Sequence, residues 1–204
     1  AKEYYLKSLN INGIVANETN SLEAFRGLVS NYINLGNVSI YEGNLTEAKE
    51  FYLKSLNVCE TITNEINTIQ ARRDLSVCYE NLGNVSTSEG NLTEAKDYYL
   101  NCLNIRDSIA NDSGTIKARR DLAVGYIKLG EICESDSNLT EAKEFYLKSL
   151  NVCEIIANET GIIDARRDLS ISYDRLGGIA VSEGKLIEAK EYYLKCSNIS
   201  NAIA

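Results

Sequence analysis

The chain has 204 residues, 44% of them hydrophobic, carries a formal net charge of −8, and contains no His, Pro, Met or Trp. The excess of negative charge repels nucleic acid and anionic membrane, and without His the commonest general base and metal ligand is missing. No stretch approaches the ~18 uninterrupted apolar residues of a membrane span, and no signal-like segment is present.

From its first residue the chain repeats itself. The segment Ala1–Ile11 returns as Ala48–Val58, Ala95–Ile105, Ala142–Val152 and Ala189–Ile199, a period of 47 residues with no insertion or deletion. A fixed period of this size signals stacked units, each too small to cover its own apolar face. Residues 1 to about 17 read as an unaccompanied second helix, and four helical hairpins follow, beginning near Leu22, Ile69, Ile116 and Ile163. In repeat units, residues 1–23 are the second helix of a preceding repeat, 24–70, 71–117 and 118–164 are full repeats, and 165–204 are the last. The whole of 1–204 is one array and, lacking Met at position 1, reads as a fragment of a longer protein.

The first helix of a unit is seen in Ala71–Val85, where Ala71, Leu75, Cys78, Tyr79, Leu82 and Val85 share one face. Gly83 sits inside it, where Gly costs about 1 kcal/mol relative to Ala, and returns as Gly36, Gly130 and Gly177. A costly residue kept at one place in each unit predicts a close helix–helix approach. The second helix is seen in Asn44–Leu56, with apolar or small residues at 45, 48, 52, 55 and 56. Asn44 with Glu47 suits a cap over free N–H groups, and Gly43 suits the left-handed residue ending the helix before it. Residues 64–67, 111–114 and 158–161 are polar stops between units. Each helix should have roughly 18–20 residues and be about 30 Å long.

The cysteines are Cys59, Cys78, Cys102, Cys133, Cys153 and Cys196, with no CxxC pair. Cys102 and Cys196 stand where Ser55 and Ser149 stand in other units, so they read as small buried side chains in a reducing, cytoplasmic compartment. The Asn-x-Ser/Thr triplets, such as Asn44-Leu45-Thr46, coincide with helix caps and read as caps.

Tyr79, Leu82, Gly83, Gly90, Ala95, Tyr99 and Cys102 stand at the spacing of the tetratricopeptide repeat, and the chain resembles that family over its whole length. The unit departs from the family's common 34 residues, and Glu60 stands where the family has a Pro near the end of the second helix. In this it is similar to the long-helix variants of kinesin light chains and bacterial sensor proteins. The resemblance implies an all-α fold, a right-handed α-solenoid of stacked antiparallel hairpins whose first helices line a concave groove.

The units differ most along one stripe of the first helix: Ile33, Glu80, Ile127, Asp174; Asn34, Asn81, Lys128, Arg175; Asn37, Asn84, Glu131, Gly178; and Ile40, Thr87, Glu134, Val181. In the resembled family this stripe holds peptide ligands, which makes Asn34, Asn37, Tyr41, Asn81, Asn84, Lys128, Glu131 and Arg175 the candidate ligand-binding residues. The alternative is drift on a solvated face. Tyr41 stands where later units have Ser88, Ser135 and Ser182, and is either a contact anchor or a residue packed on the chain's first turn. The family's carboxylate clamp needs a Lys where this chain has Ile33 or Glu80, which disfavours a chaperone-tail ligand.

The triplets Arg72-Arg73-Asp74, Arg119-Arg120-Asp121 and Arg166-Arg167-Asp168 form a second ladder. One reading is anion binding by guanidinium groups. The other, favoured by the net charge, is pairing with carboxylates such as Asp74 or acidic residues of the preceding helix. Ser137 stands where Gly43, Gly90 and Gly184 stand, which predicts strain there. At the array ends, the N-terminal helix should expose an apolar face, and Lys185, Ile187 and Ser197 mark a deviant last unit, so end-to-end self-association is expected.

Without His, a nucleophile–base pair, a phosphate-cradling loop or metal-ligand spacing, the chain is expected to be no enzyme and to carry no cofactor or metal. The reading is a non-catalytic scaffold for a protein or peptide partner, with no nucleic-acid or membrane role. The alternative is the ligand-sensing region of a larger bacterial signalling or defence protein.

Overall fold

A computed structural model describes residues 2–203, and among them nine α-helices and no strand. The first helices of the hairpins are α2 (Leu22–Tyr41), α4 (Ile69–Ser88), α6 (Ile116–Ser135) and α8 (Ile163–Ser182). They begin where the periodicity places them. The second helices are α3 (Leu45–Ile66), α5 (Leu92–Ser113), α7 (Leu139–Thr160) and α9 (Leu186–Ile203), preceded by the unaccompanied α1 (Lys2–Thr19). The internal second helices have 22 residues, longer than expected, because the segments read as stops are still helical. Residues 64–66 form the last turn of α3, which ends on left-handed Asn67 at φ 34°.

The turns follow the caps. Asn44 Oδ1 accepts the Glu47 N–H at 3.1 Å, and Asn91 and Asn138 accept from Glu94 and Glu141 at 3.3 Å each. Thr68 and Thr115 cap α4 and α6 through the Ala71 and Ala118 N–H groups at 3.2 and 3.3 Å. Ile162, at the same position before α8, has no oxygen to offer, and α8 starts without a side-chain cap. Ser137 holds φ 60°, beside 76° and 77° at the equivalent Gly43 and Gly90.

The chain divides into two compact units, one ending at Ile105 and one beginning at Arg106, with the division inside α5. In the first unit, Val29, Cys59, Ile62, Ala71, Leu75 and Cys78 form one core cluster, and Ala48, Tyr52, Leu82 and Val85 another. The second unit buries Leu129, Tyr146, Ile156, Leu176 and Ile179. The recurring first-helix glycine marks the close approach expected, and what a side chain there would meet is a ring from the second helix. A Cβ on Gly83 would lie 2.8 Å from the ring of Tyr99, and one on Gly177 would lie 2.7 Å from Tyr193. Gly36 and Gly130 meet Tyr52 and Tyr146 in the same way. A tyrosine from the second helix lies flat across the glycine of the first, so ring area replaces a methyl group at the crossing.

Lysines tie one hairpin to the next. Lys49 on α3 reaches Glu89 at 2.7 Å and Glu94 at 2.5 Å, and Lys2 reaches Glu42 and Glu47 at 2.9 and 2.7 Å. In the second unit Lys143 reaches Glu183 and Glu188 at 3.2 and 3.0 Å. Glu60, which stands in the place of the family's Pro, accepts the Tyr79 hydroxyl at 3.0 Å. Burial, then this bond, push Tyr79 up to about 12.

Candidate functional site

In the first unit the variable faces of α2 and α4 border a cavity of about 420 Å³. Asn37, Ile40 and Tyr41 line it from α2, Asn81, Asn84 and Val85 from α4, and Tyr52 from α3. The Tyr52 hydroxyl donates to Asn37 Oδ1 at 2.8 Å, and the Tyr99 hydroxyl donates to Asn84 Oδ1 at 2.7 Å. Each amide carbonyl is thereby held by a tyrosine whose ring is locked over a glycine. The Nδ2 donors of Asn37 and Asn84, both exposed residues, are left for the cavity side. Asn81 Nδ2 is buried without a hydrogen-bond partner. Tyr41 is 92% exposed and lines the cavity, so it does not pack on the chain's first turn. Asn34 is half-buried on α2 and is not part of the lining. The cavity therefore offers amide donors and apolar wall without a net charge.

The second unit handles the same stripe differently. Glu131 on α6 takes Arg175 Nη2 of α8 at 2.5 Å on one carboxylate oxygen and Lys128 Nζ at 3.2 Å on the other. Lys128, Glu131 and Arg175 are thus brought together, and the two cations are engaged by the protein itself. The Tyr146 hydroxyl donates to Glu134 Oε2 at 2.9 Å, and burial together with that carboxylate holds Tyr146 well above the ordinary phenol range.

The arginine ladder is structural where its partners are seen. Arg26 of α2 lies 3.6 Å from Asp74 of α4, and Arg120 Nε of α6 lies 2.5 Å from Asp168 of α8. Arg119 pairs with Glu159 at 2.6 Å. In these three pairs the carboxylate comes from the following first helix or the end of the same hairpin's second helix, while Arg167 meets Asp164 of its own helix at 3.4 Å. The hydroxyl bonds by which Tyr52 and Tyr99 orient the asparagines escaped sequence reading, which placed Tyr52 on the apolar face of the second helix and Tyr99 at a family position. The available signal was the constant offset of 15 residues in Asn37–Tyr52 and Asn84–Tyr99.

Two-helix units with an invariant packing face and a variable first-helix face define a class of helical-repeat interaction scaffolds. Models of the tetratricopeptide repeat match residues 29–61, 123–154 and 171–202, and a further one matches 75–110. These matches cover more than half of the chain, which belongs to the tetratricopeptide repeat family. No curated protein matches it. Among solved structures it is similar to BtubC (BKLC) from P. vanneervenii, at 15% identity and TM-score 0.56, over 99% of this chain and 90% of that one. It is also similar to a kinesin light chain candidate from Podosopora anserina with nearly identical TPR-like repeats, at 13% identity and TM-score 0.65, covering 96% and 86%. The apo form of RapI aligns with TM-score 0.70 at 11% identity over 98% of this chain, which spans 50% of RapI. At such identities the likeness is one of fold. Among the described residues, no helix is long and apolar enough to cross a membrane.

Proposed function

We propose that the chain is a non-catalytic, cytoplasmic scaffold of the long-repeat kind, and that the first-helix face of its first unit holds an extended, uncharged stretch of a partner polypeptide. The observation that carries this is the tyrosine lock on Asn37 and Asn84. With both carbonyls taken, the amides meet a ligand as donors, and main-chain carbonyls of an extended segment are the matching acceptors. Asn81 Nδ2 adds a donor whose unpaired burial costs about 1–3 kcal/mol, recovered if a ligand oxygen reaches it. Ile40, Val85 and Tyr41 supply apolar contact between these polar points. In the second unit Lys128 and Arg175 keep the α6 and α8 faces together through Glu131 and play a smaller part in recognition.

The test is selection of peptides from a random display library on the immobilised chain, followed by binding to Asn84→Asp and to Lys128→Glu/Arg175→Glu. The expected outcome is peptides without a charge requirement, lost on Asn84→Asp and retained on the double variant. Acidic peptides lost on the double variant alone would move the site to the second unit. Self-association through the ends is a separate part of the reading, supported by Tyr4, Ile11 and Ile14 of α1, at 77%, 60% and 50% exposure. Light scattering that shows a monomer at high concentration would remove it.

A further inference from the structure

Cys59 of α3 and Cys78 of α4 meet in the interior of the first unit, with their Sγ atoms 3.2 Å apart. Both side chains are almost wholly buried. The contact is a product of register. An offset of 19 residues also joins Tyr79 to Glu60 in this seam, and Tyr173 to Glu154 in the second unit. In the second unit the position holds Cys153 and Ser172, whose Oγ and Sγ lie 3.9 Å apart. Counted along the repeat, the seam between α1 and α2 carries Asn12 and Asn31 there. The α3–α4 and α7–α8 seams each bring two side chains together at this point, and in the α3–α4 seam both are thiols.

We propose that Cys59 and Cys78 are a covalent modification site, a dithiol that a peroxide converts into an intramolecular disulfide stapling α3 to α4. Closing the pair to a bond of about 2 Å needs the two sulfurs to approach by about 1 Å. Cys78 is the attacking sulfur, because the Ser55 hydroxyl stands 3.1 Å from it and can donate to its thiolate against the effect of burial. Cys59, 3.2 Å away, is the resolving thiol.

In the first step the Cys78 thiolate attacks one oxygen of hydrogen peroxide. An S–O bond forms, the O–O bond breaks, and hydroxide leaves and takes up a proton to become water. In the second step Cys59 sulfur attacks the sulfenic sulfur. The S–S bond forms, the S–O bond breaks, and a second water leaves with the Cys59 proton. Two thiols give up two electrons and the peroxide accepts them. Access comes from local opening of this one seam, since each repeat is held only by its neighbours. Cys153, which faces Ser172 at the equivalent place in the second unit, is the built-in control.

The experiment exposes the whole native chain to hydrogen peroxide, unfolds it in iodoacetamide, digests it and maps every cysteine by mass spectrometry. The expected result is a Cys59–Cys78 cross-linked peptide pair lighter by two hydrogens than the separate peptides, while Cys153 is alkylated. Ser55→Ala should slow formation of the cross-link several-fold without changing its identity. Alkylation of Cys59 and Cys78 to the same extent as Cys153 would overturn the proposal. So would sulfinic acid on Cys78 with Cys59 still alkylated, or a cross-link between two chains. The mapping uses the native sequence, so it does not require a Cys78→Ser chain to fold, and none of these outcomes depends on the groove.

Discussion

The Tyr99 hydroxyl donates to Asn84 Oδ1 at 2.7 Å while its ring lies across Gly83, so one side chain closes the helix crossing and orients the groove amide. The two roles separate in Tyr99→Phe, which keeps the ring and removes the donor. The variant should lose about 0.5–1.5 kcal/mol in urea unfolding, the usual net worth of such a bond. Its Asn84 amide is then free to turn, so binding of a peptide selected on the native chain should weaken as well. Unchanged affinity in a destabilised Tyr99→Phe chain would show that the amide's orientation does not matter to the ligand.

Two glycines in first helices should respond to alanine in opposite directions. Helix propensity favours Ala by about 1 kcal/mol at both. At Gly83 the added methyl would stand 2.8 Å from the buried Tyr99 ring, which its hydroxyl bond holds in place. Overpacking of this kind costs about 1–3 kcal/mol, so Gly83→Ala should be destabilised on balance. At Gly178 the nearest atom to a new Cβ is the Tyr193 hydroxyl at 4.0 Å, an ordinary contact. Gly178→Ala should gain about 0.5–1 kcal/mol. Thermal melts of the two variants beside the native chain decide both.

Much of this fold was legible because the repeat reports its own boundaries. Leu22, Ile69, Ile116 and Ile163 begin helices where the period places them, and Asn44, Asn91 and Asn138 cap the next ones. Those features depend on neighbours in sequence, or on one helical turn. The groove chemistry does not. Tyr52 reaches Asn37 across a hairpin, Arg175 reaches Glu131 from 44 residues away, and Arg120 reaches Asp168 from 48. In each, the side chains are brought together by stacking, and the alternating polar and charged residues on one helix do not say which of them the next helix will occupy. Lys128 and Arg175 therefore read as candidate ligand contacts in sequence and are Glu131's partners in the fold. The Cys59–Cys78 contact is of the same kind.

Two local departures from the repeat should be repairable from its other copies. Ser137 occupies a left-handed conformation at φ 60° that costs a non-glycine residue about 1–2 kcal/mol. Part of that is offset because Gly loses more chain entropy on folding. Ser137→Gly should therefore gain about 0.5–1 kcal/mol, or roughly 1–4 °C in melting temperature for a chain of this size. Ile162→Thr should give α8 the cap that Thr68 and Thr115 give α4 and α6, worth about 1 kcal/mol. The two sites lie at opposite ends of the second unit's hairpins, so their effects on the melt should add. A Ser137→Gly chain that melts lower than the native one would mean that the serine hydroxyl supplies something that the glycine turns lack.

The lysine clamps make stability depend on pH with a definite sign. The Lys49 ammonium, joined by the Ser86 hydroxyl, holds the Glu94 carboxyl below the ordinary carboxylate value against partial burial. A depressed carboxyl contributes stability that is complete above its unfolded value, about 4.3, and is lost as the pH falls through the lower folded value. Lys49 is shifted the other way: burial opposes its charge, but the bonds to Glu89 and Glu94 outweigh it and raise its value. Its contribution is therefore complete below about pH 10 and is lost only above that. The clamp should be fully present between about pH 5 and 10. Its side chains are partly exposed, so salt should weaken it. Glu94→Gln should lower the melting temperature by a few degrees at pH 7 in low salt, while the variant and native chains converge as the pH falls toward 3. Equal melting temperatures at pH 7, or a difference that grows on acidification, would show that the Lys49 clamp does not hold one hairpin to the next.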